Sequence, residues 1–352
     1  MAKKKDKEDG AVAVKENQSS SFNEYRDKLS KYINKKYGDG ISREATDLIH
    51  EKTRIIPISP AIDRALNGGV PEGSWVIFSG AEKIGKTTLA LQLAANAQKP
   101  ENGSKTVYYL DVEGRFKTMN LTTVEGFNAD MCEHIRSVEG KIINAEEYLT
   151  MAMDIIKGHP GCVLIIDSAS QLCSSKELVS DLTANARADG PKLLSSFTKQ
   201  MGNVVPIQKT IVIIIQHLIA NTSGYGPAKW EDGGNKIKYQ VDVKLRAKGV
   251  EKWMDGETNQ IGQIVKWDVV CSALGKPGGV IESYVRYGYG IDETTELVKL
   301  AADFGIIDKA GAWYSFTKDE EEHKAQGLEK MCNLLRERKD LWDYVNEQVR
   351  AV

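Results

Sequence analysis

Ser79-Gly80-Ala81-Glu82-Lys83-Ile84-Gly85-Lys86-Thr87-Thr88 is the stretch on which the fold turns. Gly80, Gly85, Lys86 and Thr87 fit the spacing G-x-x-x-x-G-K-[ST] of a phosphate-binding loop. Trp75-Val76-Ile77-Phe78 before it reads as a buried strand. Residues 88–97 after it, rich in leucine and alanine, read as a helix. A chance glycine-rich turn would not need either neighbour. Glycines let backbone wrap closely around phosphate, and amides at a helix N-terminus point at an anion. Lys86 is expected to reach the β- and γ-phosphates of a nucleoside triphosphate, and Thr87 to place its hydroxyl on Mg²⁺. Ala81, Glu82, Lys83, Ile84 and Thr88 complete the expected cradle.

Outward from this loop the chain alternates between two periods. Residues 106–112, 162–167 and 210–215 read as strands, the last two without polar alternation, as when both sheet faces are covered. Residues 145–157 and 193–205 read as helices between them. Strands alternating with helices argue an α/β fold with a parallel-rich, helix-flanked sheet, whose ligands lie beyond the carboxyl ends of the strands.

Polar residues stand at those ends. Asp167-Ser168 closes the apolar run from Val163 and reads as the carboxylate that orients the metal or its waters. Glu113 and Asp111 share one face of the preceding strand, and either is a candidate base for the attacking water. Gln216 and His217 follow the strand ending at Ile215, where a polar group could sense a γ-phosphate; a strand-end cap is the plainer alternative.

Composition narrows the classes. The 352 residues are 41% hydrophobic and 27% charged, as in ordinary globular proteins, with a net charge of −2 that gives no global basic signature. Nucleic-acid contact would have to come from a local patch. No run approaches a membrane span, and no signal peptide opens the chain. Cys132, Cys162, Cys173, Cys271 and Cys332 are odd in number and scattered, so neither a zinc site nor a disulfide framework is expected, and a reducing intracellular location follows.

The flanks are organised differently from the core. Residues 1–21 mix lysines with acids and read as a disordered tail. Phe22, Tyr25, Leu29, Tyr32 and Ile33 fall at helical spacing on a segment of about four turns. Its stripe suits either its own domain or a neighbouring subunit, and a polar connector runs on to residue 54. The expected core is 55–291. A small α+β lobe follows over 292–352, with helices at 293–304 and 319–349, the second opened by Asp319-Glu320-Glu321-Glu322 at the favourable end of the helix dipole.

With these sites in place the sequence resembles the RecA family of DNA strand-exchange ATPases. The likeness covers nearly the whole chain after residue 22. It rests on the phosphate loop, Tyr109-Leu110-Asp111-Val112-Glu113, Leu164-Ile165-Ile166-Asp167-Ser168, Gly233-Gly234-Asn235-Lys236-Ile237-Lys238-Tyr239, Tyr287-Gly288-Tyr289-Gly290-Ile291, and above all Lys309-Ala310-Gly311-Ala312-Trp313-Tyr314-Ser315. The resemblance implies a DNA-dependent ATPase using ATP and Mg²⁺, held between protomers of a filament on single-stranded DNA, that promotes homologous pairing and strand exchange. It implies Glu113 as the catalytic glutamate, Asp167 as the second nucleotide motif, Gln216 or His217 at the sensor position, and Tyr287 as the base-stacking residue from the neighbour. Two DNA loops are implied at 174–190 and 218–233, with Arg187, Lys192, Tyr225, Lys229, Gly233, Gly234, Asn235 and Lys236 as contacts. Single- and double-stranded DNA and further copies of the chain are the implied partners, with a single-strand-binding protein and a loading mediator assisting, in a bacterial cytosol or phage-infected cell.

The sequence also departs from the family pattern. Where the family supplies two basic residues across the interface, this chain has Cys271-Ser272-Ala273, leaving Lys266, Lys276 and Arg286 as substitutes. Asn120 falls near the position of the cis adenine-stacking tyrosine. These departures point to a divergent or phage-encoded member. A ring-forming helicase with a related core and a weakly hydrolysing DNA filament are the alternative readings.

Overall fold

The structure is a computed structural model and describes residues 22–180, 189–220, 229–231 and 236–352. The expected tail, 1–21, lies outside them. The described residues divide into two compact units, one up to residue 53 and one from residue 54. In the first, residues 22–37 form helix α1, as the apolar spacing predicts, and a short helix α2 follows at Asp47–His50. Asn34 closes the turn after α1 by bonding the backbone of Ser42 in both directions, at 2.8 and 2.7 Å. Phe22, Tyr25, Leu29 and Tyr32 remain largely exposed along α1.

The second unit opens with β1 (Ile55–Ile56), α3 (Pro60–Leu66) and β2 (Val70–Pro71), then enters the main sheet at β3 (Trp75–Gly80). The phosphate loop leads into α4 (Lys86–Gln98). Next come β4 (Val107–Asp111), α5 (Thr118–Thr122), β5 (Cys132–Arg136), α6 (Ala145–Gly158) and β6 (Val163–Asp167). Three helices follow, α7 (Ser175–Val179), α8 (Gly190–Met201) and α9 (Val204–Ile207). The sheet resumes with β7 (Ile211–Ala220), β8 (Lys229–Glu231), β9 (Val243–Asp255), β10 (Asn259–Cys271), β11 (Val280–Arg286) and β12 (Gly290–Ile291).

Among the described residues the strand order is β12-β11-β10-β9-β3-β7-β6-β4-β5, with β8 pairing β7. The block from β9 through β3 to β5 is parallel; β9 to β12 are antiparallel. Two apolar cores cover its faces, one holding Phe78, Leu89, Tyr109, Ile213 and Trp267, the other Trp75, Leu110, Tyr148, Ile166, Phe197 and Ile214. The runs at 163–167 and 211–215 lie between them, which is why their sequences lack alternation. β5 had no assignment from sequence, because it is a short, half-exposed edge strand without an apolar run.

The lobe consists of α10 (Glu293–Asp303), a hairpin sheet of β13 (Asp308–Ala310), β14 (Trp313–Lys318) and β15 (Glu321–Gln326), then α11 (Leu328–Glu337) and α12 (Lys339–Ala351). The acidic run Asp319 to Glu322 does not start a helix. Asp319 and Glu320 both take positive φ, 51° and 65°, and form the tip of a hairpin whose second strand begins at Glu321. Two consecutive left-handed residues match the twist of a hairpin, and the strand pairing outweighs the charge–dipole preference of an acidic run.

Candidate nucleotide and metal site

β3, β4, β6 and β7 end side by side, and a cavity of about 360 Å³ opens over their carboxyl ends. Glu82, Lys83, Ile84, Gly85, Lys86, Thr87 and Thr88 form one wall. Gly80, the last residue of β3, approaches β9 so closely that a Cβ there would lie 2.8 Å from the Ala247 Cβ. Gly85 takes φ 97° at the N-cap of α4, a conformation that side chains disfavour.

Lys86 is 5% exposed. Its Nζ donates to the Gly80 carbonyl at 3.1 Å and the Ala81 carbonyl at 2.6 Å. Among the described residues no carboxylate lies within ion-pair distance of it, and burial lowers its pKa, opposed by the charges of Asp167, Glu113 and Glu82. A buried ammonium whose partners are neutral carbonyls suits an incoming phosphate, so the residues present fit the nucleotide. Thr87 Oγ1 donates to Asp167 Oδ2 at 2.8 Å, which brings together the two residues expected at the metal. Burial raises the Asp167 pKa, and hydrogen bonds from Tyr109 and Thr87 work against that.

The two carboxylates on β4 separate by their partners. Asp111 accepts from the backbone N–H of Arg115 and Phe116, at 3.0 and 3.1 Å, and contacts His134 Nε2 at 3.1 Å. It is committed to shaping the turn after β4. Glu113 Oε1 accepts from Ser168 Oγ at 2.7 Å and lies 2.5 Å from His217 Nε2, while among the described residues Oε2 has only the exposed Arg115, at 3.6 Å. Burial would raise the Glu113 pKa, but the bonds from Ser168 and His217, with the charge of Arg115, prevail and lower it.

Gln216 and His217 point to opposite sheet faces. Gln216 is 1% exposed with Oε1 unpartnered among the described residues, on the face of Val212 and Ile214. His217 lines the cavity, 3.3 Å from Lys86 through Nδ1. Lysine can only donate, so Nδ1 accepts and Nε2 carries the proton towards Glu113. A continuous chain therefore runs Lys86–His217–Glu113–Ser168.

Other expected residues lie apart. Tyr287 lines the far wall of the cavity, half-exposed, with Asn120, Phe116 and Gln263. Lys266 pairs with Glu251 at 2.5 Å and Glu282 at 3.6 Å. Arg286 pairs with Asp292 at 2.9 Å and lies over the Trp253 ring. Lys276 is exposed and has no ion pair among the described residues. Lys192 stands in the first turn of α8, 2.9 Å from Asp189. Lys229 lies in β8 and Lys236 begins a short 3-10 turn. Arg187, Tyr225, Gly233, Gly234 and Asn235 fall outside the described residues. Neither expected loop is loop throughout: α7 occupies 175–179, and Leu218 to Ala220 pair with Lys229 to Glu231. Tyr109, whose hydroxyl reaches Asp167, was missed by sequence reasoning because it reads as one more apolar strand residue.

The family model of the RecA N-terminal domain matches residues 26–292, and that of the RecA C-terminal domain matches 295–352. Protein RecA of Lactobacillus delbrueckii subsp. bulgaricus is 30% identical over 323 residues, covering 91% of this chain and 94% of its own. Protein RecA of Oleidesulfovibrio alaskensis is 28% identical over 325 residues, covering 90% and 88%. Among the described residues no helix is long and apolar enough to cross a membrane. With both domain models matched in order over a phosphate-loop core of this geometry, the chain belongs to the RecA family.

Proposed function

We propose that this chain is an ATP-dependent DNA recombinase whose ATPase is switched on by assembly on single-stranded DNA. The observation that carries the reading is the hydrogen-bonded chain Lys86–His217–Glu113–Ser168 beside the Thr87–Asp167 pair. Bound Mg·ATP would supply a γ-phosphoryl group open to in-line attack by water. Lys86 and the loop amides from Gly80 to Thr88 would hold the phosphates, with Thr87 and Asp167 at the metal. Glu113 is ionised at neutral pH, and among the described residues its Oε2 meets no strong donor, so it can take a proton from water. His217 touches both the phosphate lysine and the base and stands on β7, the strand that leads into the second expected DNA loop. That continuity makes it the better sensor of the pair. Loop contacts by Arg187, Lys192, Tyr225, Lys229, Gly233, Gly234, Asn235 and Lys236 would be mainly to phosphate, giving affinity without base readout. The exposed stripe of α1 is assigned to a neighbouring copy.

One observation favours a second reading, a filament that hydrolyses ATP slowly. β10 ends at Cys271, Ser272 and Ala273 carry no base, and Lys266 and Arg286 are already paired within their own chain. Of these three candidates, Lys276 is the one without an ion pair among the described residues.

ATP hydrolysis with and without single-stranded DNA, over a protein dilution series, separates the readings. The recombinase reading expects strong stimulation that collapses on dilution and is abolished by Lys86→Ala. Slow, unstimulated hydrolysis with DNA still bound favours the second reading. Turnover unchanged in Lys86→Ala sinks the site assignment itself.

A further inference from the structure

Tyr109 is 1% exposed, yet it carries a hydroxyl into the nucleotide site. That hydroxyl donates to Asp167 Oδ2 at 2.5 Å, and the same oxygen accepts from Thr87 Oγ1 at 2.8 Å. The reach follows from register. Tyr109 pairs with Ile165 and Asp111 with Asp167, so the carboxylate lies two residues further along, about 6.6 Å, which a phenol leaning along the strand spans. The ring is fixed from one side by Phe116, stacked at 4.0 Å and 25°, and edge-on by His134 at 6.2 Å. Phenylalanine would fill this place equally well. A buried hydroxyl is costly unless paired, so its one acceptor is its reason for being there.

A carboxylate turns readily about its last torsion. Two O–H donors converging on Oδ2 remove that freedom. They commit the Thr87 proton to Asp167, which leaves the Thr87 lone pairs for a cation. No hydrogen bond engages Asp167 Oδ1 among the described residues, so that oxygen stays available to the metal or its waters. Mg²⁺ tolerates little departure from octahedral geometry, and hydrogen bonds behind metal ligands typically change affinity 10–100-fold. We propose that Tyr109 is a positioning residue for Mg²⁺, its hydroxyl locking Asp167 against Thr87 so that both present their oxygens to the metal. This inference rests on the assignment of Thr87 and Asp167 to Mg²⁺.

The test is equilibrium binding of ADP to the full chain without DNA, in EDTA and across a Mg²⁺ titration, for the wild type, Tyr109→Phe and Thr87→Val. Tyr109→Phe is expected to leave the melting temperature and the ADP affinity in EDTA unchanged, and to raise the Mg²⁺ concentration giving half the gain in affinity by about tenfold. A midpoint within twofold of the wild type overturns the role, and so does a lowered one, which would make the hydroxyl a competitor of the metal. An equal loss of affinity with and without Mg²⁺ also overturns it, since the hydroxyl would then support the nucleotide cradle rather than the metal. If Thr87→Val keeps the full Mg²⁺ gain, the metal assignment beneath the inference falls. If Thr87→Val loses the gain and Tyr109→Phe keeps it, only the role of Tyr109 falls.

Discussion

Glu113 and Asp111 lie two residues apart on one strand, and their partners divide the work between them. Asp111 is held by two backbone amides and His134. Glu113 is held by Ser168 and by His217, which lines the same cavity, and its pKa is lowered, so it is ionised at neutral pH, as the proposed base must be. Glu113→Gln is expected to cut ATP turnover by roughly 100-fold or more while nucleotide affinity changes little. Asp111→Asn should instead lower the melting temperature, because it loosens the turn from Arg115 to Phe116. Single-turnover hydrolysis beside a melting curve reads both, and near-normal turnover in Glu113→Gln would remove it from the mechanism.

At the scale of elements, the N-terminus of α10 joins the lobe to the sheet through one aspartate. Asp292 is 1% exposed and caps α10 by accepting from Thr295 N at 3.0 Å. It also takes Arg286 from the end of β11 at 2.9 Å and Arg336 from α11 at 2.8 Å. Breaking a buried ion pair from one side leaves uncompensated charge and typically costs 3–5 kcal/mol. Asp292→Ala is therefore expected to destabilise the chain by about 3 kcal/mol, with Asp292→Asn in between because it keeps the cap. Urea unfolding measures both; equal stability of Asp292→Ala and the wild type would show that the arginines find other partners.

The whole molecule inherits a pH dependence from the same junction. Glu296 of α10 lies in the core, where its Oε2 accepts from Ala61 N at 3.2 Å and so caps α3 from 235 residues away. Burial raises its pKa to about 7. At this site the unfolded chain, with an ordinary glutamate near 4.3, holds fewer protons between these values, so the contribution of Glu296 to stability is full below about pH 4.3 and falls as pH rises towards and through 7. The loss saturates near 3 to 4 kcal/mol above pH 7. Glu296→Gln should flatten this slope, and urea midpoints measured at pH 5 and pH 8 should differ less in the variant than in the wild type. Parallel curves for the two proteins would show that Glu296 does not titrate in this range.

The local chemistry of the chain was legible in its sequence. The phosphate loop, the buried strand before it and the helix after it, the polar strand-end candidates Asp111, Glu113, Asp167, Gln216 and His217 and the apolar stripe of α1 each depend on spacing over a few residues, where period and residue type act directly. Tertiary structure decided what spacing leaves open. It set Asp111 to the turn and Glu113 to the site, turned Gln216 away and His217 inward, and drew the hydroxyl of Tyr109 to Asp167. It folded the acidic run at Asp319 into a hairpin because β14 offered it a partner strand. These outcomes depend on which distant segments lie alongside, 54 residues away for Glu113 and Asp167 and 104 for Glu113 and His217. A residue's own neighbours in sequence carry no record of that, since packing across the sheet is settled by the whole set of buried surfaces at once.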